Sequence, residues 1–202
     1  MARAARYYTE IMDDRAYDLQ TVLDLLRDVD ARYALIGGLA VGYHGHQRAT
    51  VDVDMLVPSR FLKRIGKAAR GRGFIVREFP PDMLRIYAPD SDEPFVDLVS
   101  ADANPVLRAA FREVEPAEVL GQSVSVVGRG ALIALKFHAA VSPTRAIEDK
   151  YQDVADIGHL IRGSTRGDEG VARRVAALAY PGAGDDLDAM IDDLRHGRPV
   201  RI

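Results

Sequence analysis

The sequence predicts an α/β (α+β) protein with a sheet core followed by a C-terminal helical subdomain. Extended apolar runs alternate with helical patterns up to about residue 128, whereas every pattern after about residue 130 is helical. A chain of 202 residues is long enough for one core and a smaller appendage. We therefore predict a core of four to six strands at 1–128 and a helical subdomain at 129–202.

The first elements form a strand-helix-strand unit. Apolar residues recur at helical spacing from Leu19 to Val29, and Asp13 and Asp14 offer N-capping oxygens, so a helix is predicted at about 14–29. A strand at 33–36 then leads into a short helix that begins at a glycine pair. A second strand is predicted at 51–57, where a proline ends it.

The remaining elements follow from the same patterns. Ser59 caps a predicted helix that runs to about Arg72, and helical spacing returns near 105–113. Extended structure is predicted for FIVREF, MLRIYAP, PFVDLVS and the paired run EVLGQSVSVV. Helices are predicted for GRGALIALKFHAAV, TRAIEDKYQDVADIGHLI, GDEGVARRVAALAY and DDLDAMIDDLRHG.

Composition excludes several classes of protein. The chain is 48% hydrophobic and 28% charged, which is typical of a globular protein. Its net charge of -3 argues against a surface covered by nucleic acid. It contains no cysteine, no apolar run near the ~18 residues that a membrane span needs, and no signal-peptide pattern. We therefore expect a cytoplasmic protein that does not contact a membrane.

Three aspartates predict a metal site. Asp52 and Asp54 are two positions apart on a predicted strand, so their carboxylates should project from the same face. Asp97 interrupts the apolar run PFVDLVS, where a buried charge is costly unless it is paired or bound to metal. Hard divalent cations such as Mg²⁺ prefer these oxygen ligands. We predict a two-metal site at Asp52, Asp54 and Asp97 that supports in-line displacement at phosphorus.

A glycine pair predicts a phosphate contact close to the aspartates. Gly37 and Gly38 begin a short helix, where backbone N–H groups can approach an anion because no Cβ intervenes. A tight turn between strand and helix is the alternative for the pair. The spacing to Gly42 and Gly45 matches neither a P-loop nor a dinucleotide-binding loop.

Two charged residues lie on helix faces that are otherwise apolar. Lys136 shares a face with Leu132 and Ala139, which indicates a partner or ligand, although a stem lying along the surface is the alternative. Asp153 lies on a stripe separate from the predicted apolar seam that includes Ile147 and Tyr151. We therefore expect Asp153 to face protein and to orient Lys136 or a ligand, or to pair with a neighbouring lysine.

Together these motifs resemble the DNA polymerase beta superfamily of nucleotidyltransferases. The resemblance covers about residues 33–161 and implies a mixed sheet core flanked by helices. The run Arg48-Ala49-Thr50-Val51-Asp52 makes it similar to the bacterial AbiEii-like group. The resembling motifs are Ile36-Gly37-Gly38, Asp52-Val53-Asp54, Asp97, Leu135-Lys136 and Gln152-Asp153-Val154-Ala155-Asp156-Ile157.

The resemblance implies a role for each matched residue. Gly37 and Gly38 would bind the triphosphate, and the three aspartates would bind Mg²⁺, with Asp97 also assisting deprotonation of the acceptor. Lys136 and Asp153 would act in catalysis or nucleotide positioning. Further nucleotide-binding candidates are Arg48, Thr50 and Lys150. Relatives often carry Lys-Asp where this chain has Gln152-Asp153, with Lys150 two residues earlier.

The predicted function is Mg²⁺-dependent transfer of an NMP from an NTP to an acceptor hydroxyl. The acceptor is RNA, a protein side chain or a small molecule, with RNA the first to test. The group's resemblance to abortive-infection toxins suggests a toxin-antitoxin component with a cognate partner protein. One alternative is a catalytically silent binding module or antitoxin, and another is a metal-dependent glycosyltransferase, whose D-x-D also holds metal.

A basic stretch leaves two interpretations open. Seven cations occur between Arg60 and Arg77 with no acid among them. They form either a solvated helix face or a contact with a phosphate backbone. The sequence shows no interleaving of aromatic residues that would support base stacking.

Overall fold

The computed structural model describes residues 18–50, 52–79 and 82–200, in which seven strands form one mixed sheet flanked by helices. The predicted caps Asp13 and Asp14 lie outside the described residues. The strands are β1 (Ala34–Leu35), β2 (Val53–Val57), β3 (Ile75–Phe79), β4 (Met83–Tyr87), β5 (Pro94–Ser100), β6 (Val114–Val119) and β7 (Gln122–Val127). The helices are α1 (18–28), α2 (Gly37–Tyr43), α3 (Ser59–Gly71), α4 (Pro105–Ala110), α5 (Arg129–Ala140), α6 (Ile147–Arg162), α7 (Arg166–Ala176) and α8 (Ala183–Arg195).

The sheet has the strand order β3-β4-β5-β2-β1-β7-β6. Strands β2 and β5 are parallel neighbours at its centre, β1 runs parallel to β7, and the other pairs are antiparallel. The prediction of four to six strands was too low, because the outer strands β3 and β6 also join this sheet. Both strands carry mostly exposed side chains. A count of strands that relies on apolar residues alone is therefore too low.

The predicted fold class is confirmed, including the change from mixed to helical structure at α5. Helix α5 is buried on nearly every side, and Leu132 and Phe137 are among the largest fully buried side chains. Helix α3 packs on the face of the sheet opposite α5. The packing is close, since a Cβ placed on Gly66 of α3 would lie 3.0 Å from Leu84 Cδ1 of β4. The division at residues 128 and 129 stays a prediction. No helix within the described ranges is long and apolar enough to cross a membrane.

The predicted apolar seam of α6 is wrong at its start. Ile147 is 48% exposed and Tyr151 is 62% exposed, whereas the buried face of this part of the helix carries Asp153 and Asp156. The first half of α6 buries carboxylates because it faces cations from α5 and from the segment before β2. Hydrophobic periodicity predicts the buried face of a helix only when its neighbour is apolar.

Candidate active site

The three aspartates meet at the centre of the sheet. Asp54 of β2 and Asp97 of β5 are direct partners in the parallel ladder, so their side chains leave the sheet on one face. Asp52 precedes β2 by one residue. One carboxylate oxygen from each of the three lies within 4.8 Å of the others. The structure thus brings together Asp52, Asp54 and Asp97, which we call the acidic triad.

Burial and mutual repulsion perturb the acidic triad. Burial, followed by the charges of Asp52 and Asp97, raises the pKa of Asp54 to about 7. Burial also raises the pKa of Asp97 to about 6, against an opposing effect from Arg85. Asp97 Oδ1 is buried and has no hydrogen-bond partner among the described residues. Arg85 Nε lies 3.2 Å from this oxygen as an ion-pair contact. Three carboxylate oxygens so close together fit a hard cation such as Mg²⁺.

Arg85 is a site residue that the sequence analysis missed. It pairs in register with Asp97 across β4 and β5, and its Nε donates a hydrogen bond of 3.2 Å to Asp97 Oδ2. The row Arg85, Asp97 and Asp54 therefore crosses three adjacent strands. An arginine within the apolar run MLRIYAP was the available signal, but its partner depends on strand order, which the sequence does not reveal.

The glycine pair is required by its contacts with the acidic segment. Gly37 has φ of +65°, and a Cβ there would lie 1.8 Å from Asp54 Oδ2. A Cβ on Gly38 would lie 2.6 Å from Thr50 Oγ1. Buried Thr50 in turn donates a hydrogen bond of 3.3 Å to the Asp52 carbonyl oxygen. Glycine at both positions lets α2 begin directly against the acidic triad, and phosphate binding by the pair stays a prediction.

Lys136 and Asp153 belong to a buried charge network between α5 and α6. Lys136 Nζ lies 2.9 Å from Asp153 Oδ1 and 2.8 Å from Asp156 Oδ2. Arg145 Nε lies 2.5 Å from Asp153 Oδ2, and Arg48 Nε lies 3.0 Å from Asp156 Oδ1. The expectation that Asp153 faces protein and orients Lys136 agrees with these contacts. We call these five residues the charge network.

Asp156 is the second residue that the sequence analysis missed. It is fully buried and holds Arg48 through two of the guanidinium nitrogens. Burial alone would raise the pKa of Asp156, but Lys136 and Arg48 lower it. Its spacing of three residues from Asp153 on one helix was the available signal. Gln152, which stands where relatives often have lysine, donates a hydrogen bond of 3.1 Å to Asp156 Oδ1.

A cleft of about 340 Å³ connects the acidic triad with the charge network. Its polar lining includes Asp54, Arg85, Asp97, Lys136, Arg145 and Asp153. Gly37 and apolar residues of β5, α4 and α5 complete the lining. Arg48 and Gly38 instead line a neighbouring cavity of about 220 Å³.

Lys150 is not brought into this arrangement. It is partly exposed, does not line the cleft, and forms no ion pair within the described part of the chain. Its predicted nucleotide binding stays a prediction. Asp54, Asp97, Gly37, Lys136 and Asp153 do line one cleft. Arg48 contacts the charge network at Asp156.

Comparisons with known proteins support the fold but give no close relative. No family model matches the chain, and no curated protein matches it in sequence. The solution structure of the antibiotic-resistance factor ANT(2'')-Ia is similar, with a TM-score of 0.60, 14% identity, and coverage of 92% of this chain and 99% of that chain. Lincomycin-bound lincosamide antibiotic adenylyltransferase LnuA gives a TM-score of 0.51 and 14% identity, over 73% of this chain and 97% of that one.

A third similar structure covers most of both chains. The antigenic nucleotidyltransferase-like protein of Paracoccidioides brasiliensis gives a TM-score of 0.52 and 16% identity, and the match covers 91% of this chain and 93% of that chain. At such identities the likeness concerns the fold. The chain therefore has the nucleotidyltransferase fold.

Proposed function

We propose that the chain is a Mg²⁺-dependent nucleotidyltransferase, which moves an NMP from an NTP to an acceptor hydroxyl. The acidic triad carries this proposal, because its three carboxylate oxygens lie within 4.8 Å of one another and Asp54 and Asp97 share a cleft with Gly37 and Lys136. The names of two similar structures support it. LnuA is named an adenylyltransferase, and ANT(2'')-Ia has also been solved with adenylyl-2''-tobramycin.

The acidic triad would hold the metal through its carboxylate oxygens. Bound Mg²⁺ would neutralise the phosphate charge that develops during transfer. Arg85 Nε lies 3.2 Å from each oxygen of Asp97 and would hold this carboxylate in place beside the metal. Gly37 places the start of the α2 backbone beside Asp54, where the triphosphate would lie next to the carboxylates.

Among the cations that line the cleft, Lys136 would offset triphosphate charge. An ammonium group has three donors, and Asp153 and Asp156 occupy two of them. The third remains for an oxygen in the cleft that Lys136 lines. Arg48 would act through Asp156 and position this ammonium, because its own side chain borders the neighbouring cavity.

The transfer step forms one bond and breaks one bond. The acceptor oxygen attacks the α-phosphorus of the NTP, and the bond from that phosphorus to the bridging oxygen breaks, so pyrophosphate leaves with the electron pair. Asp97 would receive the proton of the acceptor hydroxyl and pass it to solvent.

We further propose membership of the AbiEii-like group and a role as a toxin-antitoxin component. The paired glycines, the acidic triad and the α5–α6 motifs support this membership. A silent binding module or antitoxin is the alternative, which Gln152 at the position of the usual lysine leaves open. The nucleotidyltransferase fold favours an NTP over a nucleotide sugar as donor and so disfavours the glycosyltransferase alternative.

Isothermal titration of each NTP with Mg²⁺ tests the proposal. We expect the intact chain to bind at least one NTP and Asp52→Ala with Asp54→Ala to abolish binding. The chain offers a matched control in Asp90→Ala with Asp92→Ala, which removes a second D-x-D from an exposed loop. Absence of NTP binding, or equal loss in both variants, would contradict the proposal. Binding without label transfer to any fraction of a cell extract would favour the silent module.

A further inference from the structure

Helix α6 presents apolar side chains that no other part of the described chain covers. Tyr151 is 62% exposed and Ile147 is 48% exposed, the two highest values among the large hydrophobic side chains of the described residues. The opposite side of the helix faces α5 and α8 and buries Asp153, Ile157 and Leu160. Large apolar groups left in water next to one another mark a surface for protein association.

The exposed residues of α6 lie on one side of the helix, because an α-helix has 3.6 residues per turn. They are Ile147, Glu148, Tyr151, Ala155 and Arg162, and all five are exposed. We call these five residues the α6 stripe. The stripe has an acid in the first turn of the helix, a small residue at its centre and a base in the last turn.

The two charges of the α6 stripe have no ion-pair partner within the described residues. Glu148 forms no ion pair there, and Arg162 contacts His159 Nδ1 of its own helix. Glu148 and Arg162 lie about 21 Å apart along the helix axis, so they cannot pair with each other in one copy. Both charges are therefore available to a second molecule.

We propose that the α6 stripe is the interface of a symmetric homodimer, in which α6 packs antiparallel on α6 of a second copy about a two-fold axis at Ala155. A two-fold axis makes each contact occur twice with the two residues exchanged between the copies. With the axis at Ala155, Glu148 of one copy faces Arg162 of the other, because each lies seven residues from the axis. Tyr151 faces His159 in the same way, at four residues from the axis.

The position of the axis accounts for the order of residues along the α6 stripe. A small residue at Ala155 lets the two helices approach closely where they cross. His159 stacks on His46 with an angle of 7° between the ring planes and so forms a flat aromatic surface for the tyrosine of the second copy. A parallel arrangement would instead bring Glu148 against Glu148 and Arg162 against Arg162. The charges therefore favour the antiparallel pair, in which the helix dipoles are also opposed.

The size of the α6 stripe indicates a weak dimer. Helix α6 has 16 residues and is about 24 Å long. A contact through one such helix from each copy buries less than the roughly 1,200 Å² at which stable complexes begin. We therefore expect a monomer at low micromolar concentration that forms a dimer at high micromolar concentration.

Sedimentation velocity of the full chain over this concentration range tests the dimer without requiring catalysis. Ile147→Ser with Tyr151→Ser should raise the dissociation constant at least about tenfold, because apolar residues near the centre of an interface carry most of its affinity. Leu178→Ser is the matched control. Leu178 is 46% exposed and lies outside α6, so this variant should leave the dissociation constant unchanged.

Exchange of the two charges tests the antiparallel register. Glu148→Arg alone and Arg162→Glu alone should each weaken the dimer, because like charges then face each other across the interface. The double variant should restore it. Both substitutions oppose the helix dipole of their own copy, so a restored dimer cannot result from a more stable monomer.

A cysteine at the proposed axis reports the contact directly. The chain contains no cysteine, so Ala155→Cys gives each copy one thiol, and two thiols that meet at the axis can form a disulfide under mild oxidation. Ala189→Cys is the matched control at an exposed alanine of α8. We expect Ala155→Cys to form the linked dimer faster.

Four results would overturn the inference. These are a monomer at every concentration, no recovery in the double charge variant, equal rates of disulfide formation in the two cysteine variants, or assemblies that grow beyond two copies, since an isologous contact closes at two. The inference is independent of the proposed function. A dimer that binds no NTP would contradict the proposed function alone, and a monomer that transfers an NMP would overturn the dimer alone.

Discussion

Position 37 requires glycine for two separate reasons, its backbone conformation and its contact with Asp54. Its φ of +65° lies in the left-handed region, and a Cβ would overlap the Asp54 carboxylate. We expect Gly37→Ala to lower the free energy of unfolding by about 2 to 4 kcal/mol, from backbone strain and overpacking together. It should also weaken Mg²⁺ binding, because Asp54 must move.

The control for this substitution lies in the same helix. A Cβ on Gly42 meets nothing within 4 Å, so Gly42→Ala should be neutral or stabilising by up to about 1 kcal/mol. Urea denaturation of both variants, with and without Mg²⁺, measures the difference. Equal stability of the two variants would show that the contact between Gly37 and Asp54 is not as close as described.

The acidic triad predicts a pH dependence of stability for the metal-free chain. The pKa values of about 7 for Asp54 and about 6 for Asp97 exceed the value near 3.9 expected after unfolding. The folded state therefore holds more protons between about pH 4 and pH 7, and the contribution of these groups to stability falls as pH rises through that window. Mg²⁺ replaces protons, so it should stabilise the chain more at pH 8 than at pH 5.

Thermal melts in EDTA and in Mg²⁺ across this pH range measure the effect. Asp54→Asn removes the group whose pKa rises further than that of Asp97, so the metal-free melting temperature of this variant should depend less on pH. If the melting temperatures of the wild type and Asp54→Asn change in parallel with pH in EDTA, the raised pKa of Asp54 does not set the pH dependence of stability in this range.

Asp156 should be the most sensitive residue of the charge network. Asp156→Asn leaves Arg48 and Lys136 with less compensating charge inside the protein, so we expect a loss of about 3 to 5 kcal/mol. Asp192→Asn breaks an exposed pair with Arg198 and should leave stability nearly unchanged. Chemical denaturation of both variants measures this contrast, and a loss below 1 kcal/mol for Asp156→Asn would contradict it.

At the scale of elements, local patterns predicted what lies within one strand or helix. The D-x-D of Asp52 and Asp54, the glycine pair and the helices of the second half all follow from spacing along the chain. The contact of Arg85 with Asp97 did not, because it depends on β4 lying beside β5. Strand order is a long-range property that hydrophobic periodicity does not contain. Asp156 was missed because its partner Arg48 is 108 residues away.

The packing of α5 on α7 depends on another glycine contact. A Cβ on Gly130 would lie 2.2 Å from the Asp168 carbonyl oxygen, so Gly130→Ala should cost about 1 to 3 kcal/mol by forcing the helices apart. Gly170 of α7 has nothing within 4 Å of such a Cβ, and Gly170→Ala should stabilise by up to about 1 kcal/mol. Thermal unfolding compares the pair, and a harmless Gly130→Ala would show that the α5–α7 contact is looser.

At the scale of the whole molecule, one hydrophobic cluster joins the sheet and the helices. Val53 and Leu98 of the central strands belong to the same cluster as Leu132 of α5 and Leu187 of α8. The charge network makes a second connection, since Arg48 comes from the sheet half and Asp156 from the helical half. A subdomain at 129–202 would expose the buried side chains of α5 if it were separated from the sheet.

We therefore expect the chain to unfold in one cooperative transition. Circular dichroism reports mainly on the helices, and hydrogen exchange of β2 and β5 amides reports on the sheet, so the two should give the same midpoint in urea. A fragment of residues 129–202 should fail to fold, because α5 needs the sheet to cover its apolar surface. Separate midpoints together with a folded fragment would instead establish two independent units. One transition would mean that a substitution in the charge network destabilises the acidic triad as well, so metal affinity and global stability should fall together in Asp156→Asn.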